Sequence, residues 1–151
     1  MTTIRGMLNK LEKLDVAGES IRIIQRTSYE AEALNKEQLY NYGVRRDGTK
    51  IKPEYKSAYY DREKNYMNRR PGYGTPDLFL TGSFFKGFTV SIDNYSLKID
   101  SLDSKSEGLK ARYSADIFGL TLDNRRVYAI GIFYTELKKY ITLNTGLPFS
   151  S

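Results

Sequence analysis

The groups able to do chemistry in this chain are tyrosines, lysines, arginines, carboxylates and hydroxyls, because its 151 residues include no cysteine and no histidine. Disulfides and thiolate nucleophiles are thereby excluded. So are the commonest general base and the two commonest zinc ligands. Ser101, Ser104 and Ser106 have no imidazole to activate them, which rules out a conventional catalytic triad. The run Gly43-Val44-Arg45-Arg46-Asp47-Gly48-Thr49-Lys50 has the glycine spacing of a phosphate-binding loop. Its lysine and threonine stand in the wrong order, however, and no apolar strand leads into it, so it reads as a turn. Gly72-Tyr73-Gly74 lacks the third glycine of a dinucleotide fingerprint. Asp93, Asp100, Asp103 and Glu107 could offer oxygens to a hard cation, but their spacing fits no calcium loop. Solvated carboxylates at strand ends and a helix start account for them. No cofactor, metal or catalytic set is expected, and the chain does not read as an enzyme.

Its one unusual chemistry lies between residues 43 and 76. Nine basic residues stand there against four acidic ones, an excess of +5 in a chain whose formal charge is +6. Tyr55, Tyr59, Tyr60, Tyr66 and Tyr73 are interleaved with them. Such a segment can contact DNA, with arginine and lysine on phosphates and tyrosine on exposed bases. It can equally lie across a neighbouring subunit, since tyrosine and arginine are the favoured anchors of protein interfaces. It can also be a solvated loop whose tyrosines pack locally. Four interspersed carboxylates and the lack of an unbroken basic run favour the subunit interface, with those five tyrosines as its contacts. Arg45, Arg46, Arg69 and Arg70 are the candidates for facing DNA or an acidic partner.

The elements that must position these groups follow from hydrophobic spacing. Ile4, Met7, Leu8, Leu11 and Leu14 recur at helical spacing, and Val16-Ala17-Gly18 reads as a break. A second helix is predicted from about Glu19 to Leu34, with Ile21, Ile24, Ala31 and Leu34 inward. Asn35 should interrupt it, and one more turn should follow before Gly43. From 43 to 77 periodicity is lost, and Pro53, Pro71-Gly72 and Pro76 punctuate an extended arm or large loop, with a helical turn around 56–67. Phe88, Val90 and Ile92 alternate with polar residues, Asp93-Asn94 makes a turn, and Leu97 and Ile99 alternate on the way back. Ser104 to Glu107 has capping-box spacing for a short helix. Thr121 should cap a last helix that carries Val127, Ile130, Tyr134, Leu137 and Ile141 on one face, with Gly146 and Pro148 as its stop, and the amphipathic faces need either a sheet or a neighbouring subunit to pack on.

The predicted fold is α+β, one domain over 1–151. Amphipathic N- and C-terminal helices pack on a small antiparallel sheet, whose central hairpin spans about 84–100. A long basic, tyrosine-rich arm occupies about 43–77 and a short tail 143–151. The opening Met1-Thr2-Thr3-Ile4-Arg5 lacks the apolar core of a signal peptide. The longest apolar stretch, Tyr128 to Tyr134, is too short to span a bilayer. The expectation is a soluble protein of a reducing compartment with no membrane partner.

Three blocks carry a resemblance. One is Leu34-Asn35-Lys36-Glu37-Gln38-Leu39-Tyr40, followed by Asp47-Gly48-Thr49-Lys50-Ile51 and Pro53-Glu54-Tyr55. The second is Thr75-Pro76-Asp77-Leu78-Phe79-Leu80-Thr81-Gly82-Ser83-Phe84, and the third is Asp116-Ile117-Phe118-Gly119-Leu120-Thr121 before a final helix. In this order, over residues 34–142, they resemble the tailed-phage virion morphogenesis, tail-completion and neck (head-tail connector) proteins. Members of that family carry Arg-Pro before the closing phenylalanine where this chain has Asp116-Ile117. The resemblance implies a structural subunit, found in the virion neck or tail and in the host cytoplasm during assembly. It implies a homo-oligomeric ring of six or twelve copies, set against portal, adaptor or tail rings around the DNA passage, with non-specific contact to phage DNA as a further implication. It also marks Leu80, Thr81 and Gly82, and Phe118, Gly119 and Leu120, as structural motifs.

Overall fold

The computed structural model describes residues 3–93 and 96–149, and it is an α+β fold in which helices cover a two-stranded antiparallel sheet. Helix α1 (Ile4–Glu12) starts where the Thr3 hydroxyl accepts a hydrogen bond from the Gly6 amide at 3.1 Å. The break then falls at 13–15 rather than at Val16-Ala17-Gly18. Asp15 caps the Gly18 amide at 2.9 Å, so these three residues form the first turn of α2 (Val16–Glu37).

The buried row of α2 differs from the predicted one. It consists of Glu19, Ile23, Thr27, Ala31 and Asn35, every fourth residue. Of the predicted face, Ala31 is fully buried, whereas Ile21, Ile24 and Leu34 are half-buried. Hydrophobic spacing missed the row because most of it is polar, and each polar member has a partner. Glu19 takes bonds from Arg22 and Arg26, and Thr27 Oγ1 lies 2.8 Å from the Tyr128 hydroxyl. Asn35 does not interrupt the helix, which continues as a wider π-helical turn, Gln38–Tyr42, and ends at Gly43 in the left-handed region. A Cβ on Gly43 would meet Thr75 Cγ2 at 2.3 Å, so this position requires glycine on two counts.

The hairpin pairs β1 (Phe88–Asp93) with β2 (Ser96–Ser101) in the register Phe88 to Ser101, Val90 to Ile99 and Ile92 to Leu97. The predicted Asp93-Asn94 turn lies partly outside the described residues, at Asn94. The hairpin begins at Phe88 rather than near 84, because Leu80-Thr81-Gly82 opens a helical turn, α4 (Ser83–Lys86). That turn delivers Phe84 and Phe85 to the core beside Phe88 and Phe118, with ring centroids 5.2–5.8 Å apart. Each such pair adds about 0.5–1.5 kcal/mol beyond its buried area. Helix α5 (Ser106–Tyr113) is not started by a Ser104 capping box. Instead the Asp103 carboxylate accepts from the Lys105 amide at 2.8 Å.

The last helix is one rod in three parts: α6 (Leu122–Arg126), a seven-residue π-helical stretch (Val127–Phe133) and α7 (Tyr134–Thr145). Thr121 caps it through Asn124 at 3.3 Å and Gly146 ends it, as predicted. It runs to Thr145, so the tail starts at Gly146 rather than at 143. On the predicted apolar face Val127, Ile130 and Tyr134 are exposed and Leu137 and Ile141 half-buried, while Tyr128 beside it is buried. The wider π turns displace the register that a 3.6-residue period assumes.

Two side-chain amides tie these elements together. Asn35 donates to the Ile117 carbonyl (3.1 Å) and accepts from the Gly119 amide (3.0 Å). Gln38 donates to the Gly119 carbonyl (3.1 Å) and accepts from the Thr121 amide (2.9 Å). Helix α2 thus holds the closing motif as a neighbouring strand would. Gly119 sits at φ 112°, a conformation that side chains rarely adopt. Replacing Asn35 by alanine strands the buried Ile117 carbonyl, at about 1–3 kcal/mol, and the part-buried Gly119 amide. Urea unfolding of Asn35→Ala should show a loss on the order of 3 kcal/mol, against less than about 0.5 kcal/mol for the exposed control Lys98→Ala.

Candidate interaction surface

Residues 43–77 form a large loop held back on the body rather than a free arm. Val44 and Lys50 bridge across the Asp47-Gly48 turn, and Ile51 is fully buried. Ser57 caps α3 (Ala58–Met67), a full helix where a turn was predicted. The inward row of α3 is polar. Asp61 accepts from the Gly74 amide at 2.7 Å, and Asn68 donates to the Tyr40 carbonyl (2.7 Å) and to Asp77 Oδ2 (3.1 Å). Between them Lys64 Nζ lies 2.7 Å from Asp77 Oδ1, with both side chains under 10% exposed. Lys64 also donates to the Phe79 carbonyl, and Asp77 accepts from the Phe79 amide at 3.0 Å. A buried pair is tolerable only with this degree of hydrogen bonding.

With charge inside, α3 turns Tyr59 and Tyr66 outward. Tyr59, Tyr66, Met67 and Tyr73 are each more than 65% exposed. Arg62, Asn65 and Arg69 join Tyr66 and Tyr73 around one surface depression. Among the described residues neither Arg62 nor Arg69 makes an ion pair. Contiguous exposed aromatic and apolar surface of this kind marks interaction sites. Arg62 and Met67 were not singled out from the sequence. The spacing Tyr59, Arg62, Tyr66, Arg69 is helical and could have revealed the face, had a whole helix been predicted there.

Tyr55 and Tyr60 belong to a different environment. Tyr55 is half-buried, edge-on to Tyr60 at 5.1 Å, with its hydroxyl against the Asp77 backbone and carboxylate. Burial first, and the Asp77 charge second, push its phenol well above the ordinary range. Tyr55 therefore packs the loop and is withdrawn from the outward face.

The four predicted arginines are not brought into one patch. Arg45 holds the Thr49 hydroxyl at 2.7 Å, and Arg46 pairs with Asp116 at 2.7 Å while its stem lies over Gly119. Arg70 donates to Asn41 Oδ1 at 2.6 Å, which leaves Arg69 on the α3 face. Leu80 is exposed, Gly82 adopts a positive φ at the start of α4, and Phe118 and Leu120 are core residues. Asp100 and Glu107 both pair with Lys110. Among the described residues no three acidic side chains gather to hold a metal, and no helix is long and apolar enough to cross a membrane.

A second exposed apolar surface runs along the last helix, at Leu122, Val127, Ile130 and Tyr134. Comparison of the chain with protein-family models, curated proteins and solved structures gives no match.

The buried phenols set an alkaline limit. Burial raises the pKa of Tyr55, Tyr113 and Tyr128 above the ordinary value, so the folded state keeps protons that the unfolded state loses above about pH 10. Their contribution to stability is complete below that pH and is lost as pH climbs toward the folded values. Absorbance titration at 295 nm should show these three phenols ionising at higher pH in the folded protein than in urea, together with a falling urea midpoint above about pH 10.

Proposed function

We propose that this chain is a non-enzymatic structural subunit of a tailed-phage virion, one that joins a ring at the neck or upper tail. The observation that carries the reading is the inverted helix α3, with Asp61, Lys64 and Asn68 inside and Tyr59, Tyr66 and Tyr73 outside. A chain that uses buried charge to fix a helix and leaves its tyrosines exposed is arranged to be covered by another molecule. The order of the three family-like blocks supports the phage assignment. Those blocks also meet in space, since Asn35 and Gln38 of the first grip Ile117, Gly119 and Thr121 of the third.

A ring needs two different, mutually complementary surfaces on each subunit. The α3 face and the Leu122–Tyr134 stripe supply two. In this reading six or twelve copies close around the DNA passage, between portal, adaptor or tail rings, and the protein resides in the virion after assembly in the host cytoplasm. DNA binding is the second reading, favoured by Arg62 and Arg69, which stand beside Tyr66 and Tyr73 without a carboxylate partner among the described residues.

Light scattering and negative-stain imaging should find rings with a central hole, alone or with neck partners. Tyr66→Ala/Tyr73→Ala should leave thermal unfolding within about 0.5 kcal/mol of wild type, as exposed substitutions do, while abolishing assembly. A monomer with every partner rejects the ring. Binding to single-stranded DNA that falls steeply with salt, and is lost in Arg62→Gln/Arg69→Gln, would favour the second reading.

A further inference from the structure

A cavity of about 230 Å³ opens beside the Lys64–Asp77 pair, between the segment 76–84 and helix α5. Its walls are largely apolar, from Leu78, Leu80, Phe84, Leu109 and the ring of Tyr60. Tyr113 also lines it, is 94% buried, and its hydroxyl makes no hydrogen bond to a described residue. Among the described residues the buried side-chain polar atom without a partner is Ser106 Oγ, so the Tyr113 hydroxyl is reached by solvent and is free to donate to a molecule that enters the cavity. Of the other charged groups in the wall, Lys64 is held by Asp77 and the Phe79 carbonyl, and Asp77 by Lys64, Asn68 and the Phe79 amide, while the exposed Lys105 makes no ion pair among the described residues.

The wall is also strained. Leu78 sits at φ 57°, in the left-handed region that branched side chains avoid. The cause lies next to it, because Lys64 and Asp77 grip the carbonyl and the amide of Phe79 and so fix the peptide that follows Leu78. Strain of this kind is kept where the surroundings over-determine it, and it clusters at ligand clamps.

We propose that this cavity is a binding site for a phenol-like group, a six-membered ring carrying one hydrogen-bond acceptor, with Tyr113 donating to that acceptor. Size supports a single ring, since an apolar cavity of about 150 Å³ already takes up benzene. Burial raises the Tyr113 pKa, which keeps its hydroxyl protonated and able to donate at neutral pH. Two sources fit this chemistry: a free small aromatic molecule, or a protruding tyrosine of a second copy, of which Tyr66 is 81% exposed. The site does not depend on the ring reading, since a monomer could hold the free molecule.

Fluorine NMR of the full chain with 4-fluorophenol and with fluorobenzene tests it. Both should bind. Tyr113→Phe, which removes one oxygen and keeps the packing, should weaken 4-fluorophenol about tenfold, the scale of one hydrogen bond, and leave fluorobenzene unchanged. Leu109→Trp, which fills the cavity, should abolish both, with folding checked by circular dichroism. Failure of the wild type to bind either probe, or equal weakening of both by Tyr113→Phe, overturns the proposal. Sedimentation then separates the sources: self-association lost in both Tyr66→Ala and Leu109→Trp identifies the second copy's tyrosine. Self-association that survives both, with probe binding intact in Tyr66→Ala, identifies a free ligand.

Discussion

Asn35 and Gln38 hold the molecule together, because each amide side chain satisfies backbone groups of a segment more than 80 residues away. A two-stranded hairpin is marginal by itself, and α2 covers it while also packing against the last helix. The closing segment joins them. Phe118 enters the phenylalanine cluster against the hairpin, while the peptides on either side of it are read by helix α2. The same grip positions Thr121 to start the last helix, whose Tyr128 returns to Thr27 on α2. The contacts form a closed circuit, and weakening the amides loosens every member of it.

The second constraint is the Lys64–Asp77 pair. Bringing two charges into the interior is expensive, and their attraction repays it only when the remaining hydrogen-bonding capacity is used. Here Asn68 and both ends of the Phe79 peptide use it. The outcome is specificity of placement: α3 can dock with one face only, and that face is the polar one. Its aromatic side is left for solvent or for a partner. The same pair holds Leu78 in its strained conformation and so shapes the wall of the neighbouring cavity.

These two constraints separate the motifs from the surface. The blocks 34–55, 75–84 and 116–121 supply inward-facing parts, the amide clamp, the phenylalanines and Asp77. The outward residues, Tyr59, Arg62, Tyr66, Arg69 and Tyr73, lie between the blocks.

From the sequence alone the α+β class, the hairpin strands, the capping of the last helix by Thr121 and its end at Gly146 were legible. Each rests on a local rule, namely alternation, a capping hydroxyl or a glycine stop. So was the concentration of tyrosine and positive charge between 43 and 76. Which tyrosines face out was decided by tertiary structure, because Tyr55 and Tyr66 have similar neighbours in sequence and opposite burial in space. The row of α2 that is buried escaped the pattern because its polar members find partners, Arg22 and Arg26 for Glu19 and residues 117–128 for Thr27 and Asn35. On the last helix the burial of Tyr128, beside the apolar face, depends on Thr27 of α2, which a local pattern cannot see. Periodicity reports where apolar side chains recur; it is silent on polar groups that become satisfied only when distant segments meet.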